Sequence, residues 1–442
     1  MKIQPARRIC GQIELPGDKS ISHRAALLAA LADGDSVLTN FSTSADCTST
    51  LDCLRGLGVL IERVGTSVQI GGVGTSGLSP AAQMLDCGNS GSTMRLLAGV
   101  LAGHAFPSTL TGDASLRSRP MRRIIKPLEL MGARLASAEG RAPLRISGRQ
   151  PLAPITYLMP VASAQVKSCV LLAGLNASGR TRVIESGAET RDHTERMLRW
   201  LGVEVETTIE TSNIGVSSKT LSIDGPSRLS AHDIQIPGDI SSAAFFIAAA
   251  SLLPGSGLEI NGVGLNETRA AILQTMRLLG ADVRVSQERE ESNEAVGDIT
   301  VCAETVLAGH GGGQQSKLRG PAIAQLIDEL PMLAVVGTQL PGGLEIREAG
   351  ELRVKESDRI GAVVENLRAM GAQVEEHVDG MTIHGAARLR GARLKTHGDH
   401  RIAMAFTVAA LIADSESELD DAGCARISFP EFFELLESVV ER

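Results

Sequence analysis

One kind of helix recurs six times along this chain. Each copy begins at a Ser or Asp that suits a helix N-cap and continues in small apolar residues. Pro331 fits a helix only within its first turn, which places the fifth start near Asp328. The copies lie roughly 70 to 90 residues apart, a spacing that fits one α/β repeat of several elements. The six starts lie near Ser20, Ser90, Ser163, Asp239, Asp328 and Asp399.

A second helix is predicted in every copy. Five of these helices close on an apolar residue, a glycine and a small residue, which is typical of a left-handed residue that ends a helix. These glycines are Gly58, Gly132, Gly202, Gly280 and Gly371. β-Branched strands are predicted to follow, as at 203–205 and 283–285. The sequence therefore predicts an α/β fold of six βαβαββ-like units, divided three and three.

Three segments do not fit the pattern of six repeated units. Residues 222–235 are predicted to form the crossover between the two halves. The charged residues 287–294 predict a solvated hairpin or loop, and the glycine-rich residues 309–317 predict a flexible connector. We expect neither of the last two segments to do more than link other elements.

The composition restricts the function and the compartment. With one Tyr, one Trp and a net charge of −8, the chain does not suit a base-stacking nucleic-acid binder, so anions must be bound by local groups of Lys and Arg. Its seven Cys include no C-x-x-C pair, which favours a reducing cytosol over a disulfide framework or a zinc site. No signal peptide or membrane-spanning run is recognised. We expect a cytoplasmic protein with no metal, membrane or nucleic-acid partner.

Several of the helix starts carry groups that suit anions. Lys19 and Arg24 lie within about a turn of the first start, and the Gly/Ser run 88–93 can offer backbone N–H groups to an oxyanion. One exposed helix end contributes only about 0.3–1 kcal/mol, but several that converge with cations could bind phosphate. Lys355 and Arg359, four residues apart, are predicted to share a helix face and to form a second anion clamp. The alternative is a set of capped core helices with solvated cations.

Several motifs together carry a resemblance that covers essentially the whole chain. In order, they read PGDKSISHRA, LDCGNSGSTMRLLAG, LTGDASLRSRPMRRI, ASAQVKS, TRDHTERML, RVKESDRI and DHRIAMAF. The chain resembles the EPSP synthases (5-enolpyruvylshikimate-3-phosphate synthases) of the enolpyruvyl transferase family. The motifs SAQVKS and TRDHTE look more like the bacterial class II branch than class I.

The resemblance implies a fold and a reaction. The fold would be two similar domains of three βαβαββ repeats each, an inside-out α/β barrel, with a substrate cleft between the domains. Residues 15–234 would form the shikimate 3-phosphate side, and residues 1–14 with 235–442 the domain of the catalytic carboxylates. The enzyme, which we expect to be a monomer, would move the enolpyruvyl group of phosphoenolpyruvate onto the 5-hydroxyl of shikimate 3-phosphate and release phosphate. This reaction of the shikimate pathway, which leads to chorismate and aromatic amino acids, uses no metal or organic cofactor.

The resemblance also implies roles for individual residues. Asp328 would accept the hydroxyl proton, Glu356 would handle protons at the enolpyruvyl methylene, and Lys19 would touch both substrates. Residues expected at shikimate 3-phosphate are Lys19, Ser20, Arg24, Ser163, Ala164, Gln165, Arg191, Asp328 and Lys355. Residues expected at phosphoenolpyruvate are Lys19, Gly91, Arg119, Gln165, Arg359 and Arg401. Glyphosate would mimic part of the phosphoenolpyruvate site, with Gly91 as the pocket wall or merely as a permissive backbone position.

One position departs from the family pattern. Many class I members carry Lys two residues before the C-terminal Phe-Pro, where this chain has Ile427. Either one phosphoenolpyruvate contact is missing or the adjacent Arg426 supplies it.

Two rival interpretations remain. The sister transferase that acts on UDP-N-acetylglucosamine typically has a Cys in its mobile loop, where this chain has Ala114. A repeat protein that only binds a phosphorylated metabolite would have no need for Asp328 and Glu356, and both are present.

Overall fold

The structure is a computed structural model that describes residues 1–186, 189–211, 217–305, 307 and 314–442. Of the predicted connector, residues 309–313 lie outside the described residues. Its last residues are not a loop, since a strand begins at Ser316.

The described residues form fourteen α-helices and twenty-five strands. The helices are α1 Lys19–Ala30, α2 Ala45–Gly56, α3 Gly91–Ala102, α4 Ala114–Ser118, α5 Arg122–Leu130, α6 Ala164–Gly174, α7 His193–Trp200, α8 Ile240–Leu252, α9 Ala271–Leu278, α10 Pro321–Leu326, α11 Leu330–Gly337, α12 Arg359–Ala369, α13 His400–Leu411 and α14 Phe432–Val439. The strands up to the middle of the chain are β1 Lys2–Ile3, β2 Arg8–Glu14, β3 Ala32–Thr39, β4 Leu60–Val64, β5 Ser67–Val73, β6 Leu85–Asp86, β7 Pro107–Thr111, β8 Arg134–Ala138, β9 Arg141–Ser147, β10 Thr156–Leu158, β11 Arg180–Ser186, β12 Glu206–Thr211 and β13 Ser217–Asp224. The remaining strands are β14 Leu229–Ser230, β15 Ile234–Gln235, β16 Ser256–Gly264, β17 Asp282–Glu291, β18 Glu294–Ala303, β19 Ser316–Leu318, β20 Leu344–Ile346, β21 Val374–His377, β22 Gly380–Ile383, β23 Arg393–Leu394, β24 Ser417–Leu419 and β25 Val440–Glu441.

The strands pair into six small sheets with a recurring order. In the sheet β6-β7-β9-β8 the first pair is parallel and the other two are antiparallel. The sheets β10-β11-β13-β12 and β19-β20-β22-β21 repeat this order. The helix between the parallel strands and the helix before the hairpin complete the predicted βαβαββ unit. The α/β prediction is confirmed. In two further sheets the outer parallel strand comes from a distant part of the chain, β14 beside β3 and β2 beside β16.

The repeated helices form where their caps and apolar residues predict them. Asp18 Oδ1 accepts from Ile21 N at 2.9 Å to start α1, and Ser90 Oγ accepts from Thr93 N at 3.1 Å to start α3. Every residue of α8 and α13 is buried, as expected of helices with apolar residues on all sides. The fifth start is one residue later than predicted, because Glu329 rather than Asp328 precedes α11.

The glycines that end the second helices adopt the expected conformation. Gly58, Gly132, Gly202, Gly280 and Gly371 all have φ between +85° and +98°. A side chain at these positions would be strained, so the glycine signature follows from the backbone itself.

Three local predictions are wrong in whole or in part. Residues 203–205 are not a strand, because Arg199 Nη2 donates to Val205 O at 2.8 Å and β12 begins only at Glu206. Half of the segment 222–235 is sheet rather than a plain crossover, since it contains the end of β13 and the two strands that pair with β3. The residues 287–294 form a hairpin, but Glu294 at its tip is buried with Oε1 2.7 Å from His193 Nδ1.

The chain divides into two compact units. Unit 1 comprises Met1–Pro16, Pro237–Glu290 and Ala295–Arg442, and unit 2 comprises Gly17–Ile236 and Glu291–Glu294. Each unit has its own apolar core. Among the described residues, every helix is too short or too polar to span a bilayer.

Candidate active site

The start of α1 places two cations in unit 2. Lys19 Nζ lies 2.9 Å from Asp46 Oδ2 on α2, and both side chains are largely buried. Arg24 is buried one turn further on, where its Nη1 donates to Ser20 O at 2.9 Å. Lys19, Ser20 and Arg24 therefore lie together, as the sequence predicts.

Arg24 is held by neutral oxygens rather than by a direct carboxylate partner. Its Nε donates to Thr194 Oγ1 at 2.8 Å and its Nη2 to Ser168 Oγ at 2.9 Å. The pKa of Arg24 is lowered to about 10, mainly by burial. The charge of Glu195 acts against this change, and the nearby charge of Arg191 acts in the same direction as burial. Arg191, just before α7, is thus close enough to add to the same positive potential. A buried guanidinium whose hydrogen bonds go to neutral oxygens suits an anionic ligand.

A buried histidine lies beneath these cations. His23 Nδ1 is 2.7 Å from Thr50 Oγ1, which is 2.7 Å from Thr93 Oγ1 at the start of α3. Burial, and then the charges of Lys19 and Arg24, hold the pKa of His23 well below its ordinary value. The imidazole is neutral, and it ties the first turns of α1 and α3 to α2.

The start of α3 joins the start of α6 through one arginine. Arg95 Nη1 donates to Gln165 Oε1 at 2.5 Å, and Gln165 Nε2 donates to Ser92 Oγ at 2.9 Å. Gly91 begins α3 with a φ outside the left-handed region, and a Cβ built on it would lie 2.9 Å from Arg95 Nη1. The backbone of Gly91 does not call for glycine, and a side chain at this position would press on the end of the Arg95 side chain, which agrees with the pocket-wall alternative.

Arg119 approaches the same glycine from the end of α4. Its Nη2 donates to Asn89 Oδ1 at 2.6 Å and to Ser115 Oγ at 3.1 Å. Asp113 fixes this arrangement, because its Oδ1 caps α4 at Leu116 N while its Oδ2 accepts from Asn89 Nδ2.

The first turn of α6 supplies the remaining predicted residues of unit 2. Ser163 precedes the helix, Ala164 begins it, and both are half-buried with Gln165. Lys167, one turn later, is fully buried between Glu195 at 2.8 Å and Glu185 at 3.2 Å. Burial would lower the pKa of Lys167, but the two carboxylates outweigh it and raise the pKa.

A second group of charged residues lies in unit 1 around Asp328. Its Oδ1 is 3.4 Å from Lys355 Nζ and 3.5 Å from Arg359 Nη1. Its main-chain oxygen accepts from Arg401 Nη1 at 3.1 Å. Glu356 Oε2 is 2.6 Å from Arg359 Nη2, so one guanidinium touches both predicted catalytic carboxylates.

Arg359 is fixed from behind by Asp399. Its Nε donates to Asp399 Oδ2 at 2.8 Å and its Nη2 to Oδ1 at 3.2 Å. Burial acts to lower the pKa of Arg359, but the charges of Asp399 and Glu356 raise it above the ordinary value. Burial would likewise raise the pKa of Asp399, whereas Arg359 lowers it. The pair is an ionised, bidentate clamp.

The predicted helix face that joins Lys355 to Arg359 is wrong. A 3₁₀ turn ends at Val354, and α12 begins only at Arg359, because Asp358 Oδ1 accepts from Gly361 N and caps the helix. The two cations meet at Asp328 across a bend of the chain instead.

A model of the family described as EPSP synthase (3-phosphoshikimate 1-carboxyvinyltransferase) matches residues 3–436. The chain belongs to the EPSP synthase family.

Relatives and solved structures agree with this assignment. A 3-phosphoshikimate 1-carboxyvinyltransferase of Koribacter versatilis is 49% identical over 443 residues, which span 100% of this chain and 99% of that protein. One of Solibacter usitatus is 48% identical over 441 residues, covering 100% and 99%. The structure of an EPSP synthase from Acinetobacter baumannii superposes with a TM-score of 0.84 at 39% identity, covering 99% of this chain and 98% of that one.

The structure of this EPSP synthase family member also shows residues that the motifs did not single out. Arg95 and Asp46 hold Gln165 and Lys19, and Glu329 lies beside Asp328. Arg95 lies within the motif LDCGNSGSTMRLLAG, one turn after Gly91, although no role is predicted for it there. Ile427 ends a 3₁₀ turn and Arg426 beside it is exposed, so a role for Arg426 stays a prediction.

Proposed function

We propose that this protein transfers the enolpyruvyl group of phosphoenolpyruvate to the 5-hydroxyl of shikimate 3-phosphate. The observation that carries the proposal is the arrangement in unit 1 of two carboxylates, Asp328 and Glu356, on one buried guanidinium. Addition followed by elimination needs one group to take the hydroxyl proton and another to exchange protons with carbon. Two carboxylates held apart by a shared arginine meet that need.

In the proposed mechanism Asp328 accepts the proton of the 5-hydroxyl as its oxygen attacks C2 of phosphoenolpyruvate. Glu356 delivers a proton to the methylene carbon, which gives a tetrahedral intermediate with a methyl group. A proton then leaves that methyl carbon for Glu356 while the C2–O bond to phosphate breaks, and the departing phosphate takes up the proton that Asp328 accepted. The products are the enolpyruvyl ether and inorganic phosphate, so atoms and charge balance without a redox partner.

The cations serve the two substrates in this proposal. The residues assigned to shikimate 3-phosphate are Lys19, Ser20, Arg24, Ser163, Ala164, Gln165 and Arg191 in unit 2, and Asp328 and Lys355 in unit 1. Phosphoenolpyruvate is bound by Lys19, Gly91, Arg119, Gln165, Arg359 and Arg401. Each phosphate carries about −1.5 to −2 charges at neutral pH, which requires several cations.

Phosphate release tests the proposal. The purified protein should release phosphate when given phosphoenolpyruvate with shikimate 3-phosphate, and none when UDP-N-acetylglucosamine replaces the latter. Asp328→Asn serves as the negative control, because it keeps the shape and removes the proton acceptor. Tight binding of shikimate 3-phosphate without any turnover would instead favour the binding-protein alternative.

We propose further that the enzyme works as a monomer in the cytoplasm and without nucleic acid. All seven cysteines are free thiols, which suits a reducing compartment. Light scattering on the purified protein at assay concentration tests the monomer, since a dimer would double the measured mass.

A further inference from the structure

The start of α8 differs from the other repeated helix starts. Residues of the proposed active site lie at the starts of α1, α3, α6, α11 and α13, but none has been assigned at α8. Asp239 caps this helix, with Oδ1 accepting from Ser241 N at 2.9 Å and Oδ2 from Ser242 Oγ at 3.2 Å. The first turn of α8 is therefore capped by a carboxylate of the chain itself.

A second carboxylate, that of Glu329, lies against the first turn of α8. Ser241 Oγ donates to Glu329 Oε1, and Arg269 Nη2 donates to the same hydroxyl at 2.7 Å. Arg269 also lies 3.5 Å from Asp239 Oδ1 and 3.8 Å from Glu329 Oε1. Glu329, Arg269 and Ser241 are all at most 3% exposed. The side chain of Glu329 thus packs against the first turn of α8 through the Ser241 hydroxyl and Arg269.

The same carboxylate faces the proposed active site. Glu329 Oε1 lies 3.6 Å from Arg401 Nη1, the nitrogen that donates to the main-chain oxygen of Asp328. Glu329 also follows Asp328 directly in the chain and stands at the N-cap position of α11. One buried side chain therefore adjoins a proposed phosphoenolpyruvate ligand and the proposed proton acceptor.

The hydrogen bonding of Glu329 is incomplete. All its contacts use Oε1, and within the described part of the chain Oε2 accepts no hydrogen bond although it is buried. Most buried side-chain polar atoms have a hydrogen-bond partner, so the position of this oxygen calls for an explanation. The carboxylate is placed instead by the charges of Arg269 and Arg401, between which it lies.

We propose that Glu329 is a positioning residue that holds the Arg401 guanidinium in place for phosphoenolpyruvate. Without its charge, Arg269 and Arg401 face each other in a buried site, and Arg401 withdraws because it is the more exposed of the two. The inference rests on the proposed function, through the assignment of Arg401 to phosphoenolpyruvate.

Glu329→Gln tests this inference because it keeps the shape and the Ser241 hydrogen bond while it removes the charge. The KM for phosphoenolpyruvate should rise about tenfold, as for one charge-assisted contact, while the KM for shikimate 3-phosphate changes less than twofold. Glu329→Asp retains the charge and should recover part of the loss. Ser242→Ala is the matched control, since Ser242 contacts Asp239 on the same helix start and leaves Glu329 untouched.

The outcomes are distinguishable. A wild-type protein that releases no phosphate refutes the proposed function and this inference with it. An active wild type whose phosphoenolpyruvate KM is unchanged in Glu329→Gln refutes the inference alone. Equal rises in both KM values together with a lower Tm would also refute it, because they indicate a structural role. If Glu329→Gln does not fold, the two KM values of Glu329→Asp decide: a phosphoenolpyruvate KM at or moderately above the wild-type value, with the KM for shikimate 3-phosphate unchanged, supports the role of the charge, and equal rises in both KM values overturn the inference.

Discussion

Replacing Gly91 by Ala adds one methyl group at the first residue of α3. Its Cβ would lie 2.9 Å from Arg95 Nη1 and 3.5 Å from Arg119 Nη1. The first distance is about 0.5 Å inside ordinary van der Waals contact, so the Arg95 guanidinium must move by about that amount. Because Arg95 donates to Gln165, the methyl also disturbs a predicted ligand of both substrates.

The fold should tolerate this change. The φ of Gly91 lies outside the left-handed region, so Ala gains about 0.4–1 kcal/mol from the restricted unfolded chain. Displacing Arg95 from its preferred rotamer costs about 0.5–1.5 kcal/mol. The two effects nearly cancel, and we expect the Tm of Gly91→Ala to stay within about 4 °C of wild type.

The ligands should respond unequally. Overpacking by one methyl costs about 1–3 kcal/mol, which corresponds to about a 5- to 150-fold loss of affinity. Glyphosate is longer than phosphoenolpyruvate, so its inhibition constant should rise within that range while the KM for phosphoenolpyruvate rises less.

Three measurements on one preparation of Gly91→Ala test the pocket-wall role: the Tm, the KM for phosphoenolpyruvate and the inhibition constant for glyphosate. Gly257→Ala is the control, because a Cβ there meets nothing within 4 Å. A large loss of Tm, with substrate and inhibitor weakened equally, would refute the pocket-wall role of Gly91.

The remaining predictions concern proton transfer and buried charge. Asp328→Asn and Glu356→Gln should each lower turnover by about 10²–10⁴ with shikimate 3-phosphate still bound in calorimetry, and near-normal turnover removes that residue from the mechanism. Below pH about 6.5 the unfolded chain binds a proton that folded His23 does not, so stability falls as the pH falls, by up to about 1.4 kcal/mol per unit. His23→Asn should remove about one proton from the pH dependence of urea unfolding between about pH 6.5 and 5, and an unchanged slope would contradict this. Lys167→Met leaves two glutamates buried without a cation, which costs about 3–5 kcal/mol and about 6–20 °C of Tm. Adding Glu195→Gln should recover part of that loss, and calorimetry that shows no recovery would contradict the ion-pair explanation.

The features predictable from the sequence are those that depend on a few neighbouring residues. The cap at Ser90 depends only on its side-chain oxygen and on an N–H group three residues later. The conformation of Gly202 depends only on its own left-handed φ. The grouping of Lys19, Ser20 and Arg24 follows in the same way from one helix start, and the structure brings the three residues together.

The features that the sequence did not predict depend on distant partners. Glu294 looked like part of a solvated charged run, but it is buried against His193, which is about a hundred residues away. Lys355 and Arg359 looked like one helix face because their spacing allowed it, and only the Asp358 cap shows that the helix starts later. Charge spacing along a chain cannot reveal such partners, since it contains no information on what packs against the run.

Asp399 shows how capping and charge are combined in one residue. Its Oδ1 accepts from Arg401 N at 2.9 Å and so fixes the first turn of α13, while both its oxygens hold the Arg359 guanidinium. The backbone of one proposed phosphoenolpyruvate ligand and the side chain of another are therefore set by a single buried carboxylate. Because a cap requires a definite helix start and an ion pair requires a definite distance, neither arginine can shift without a cost at the other. The helix start is thus both the element that the sequence predicts best and the device that would preorganise the proposed site.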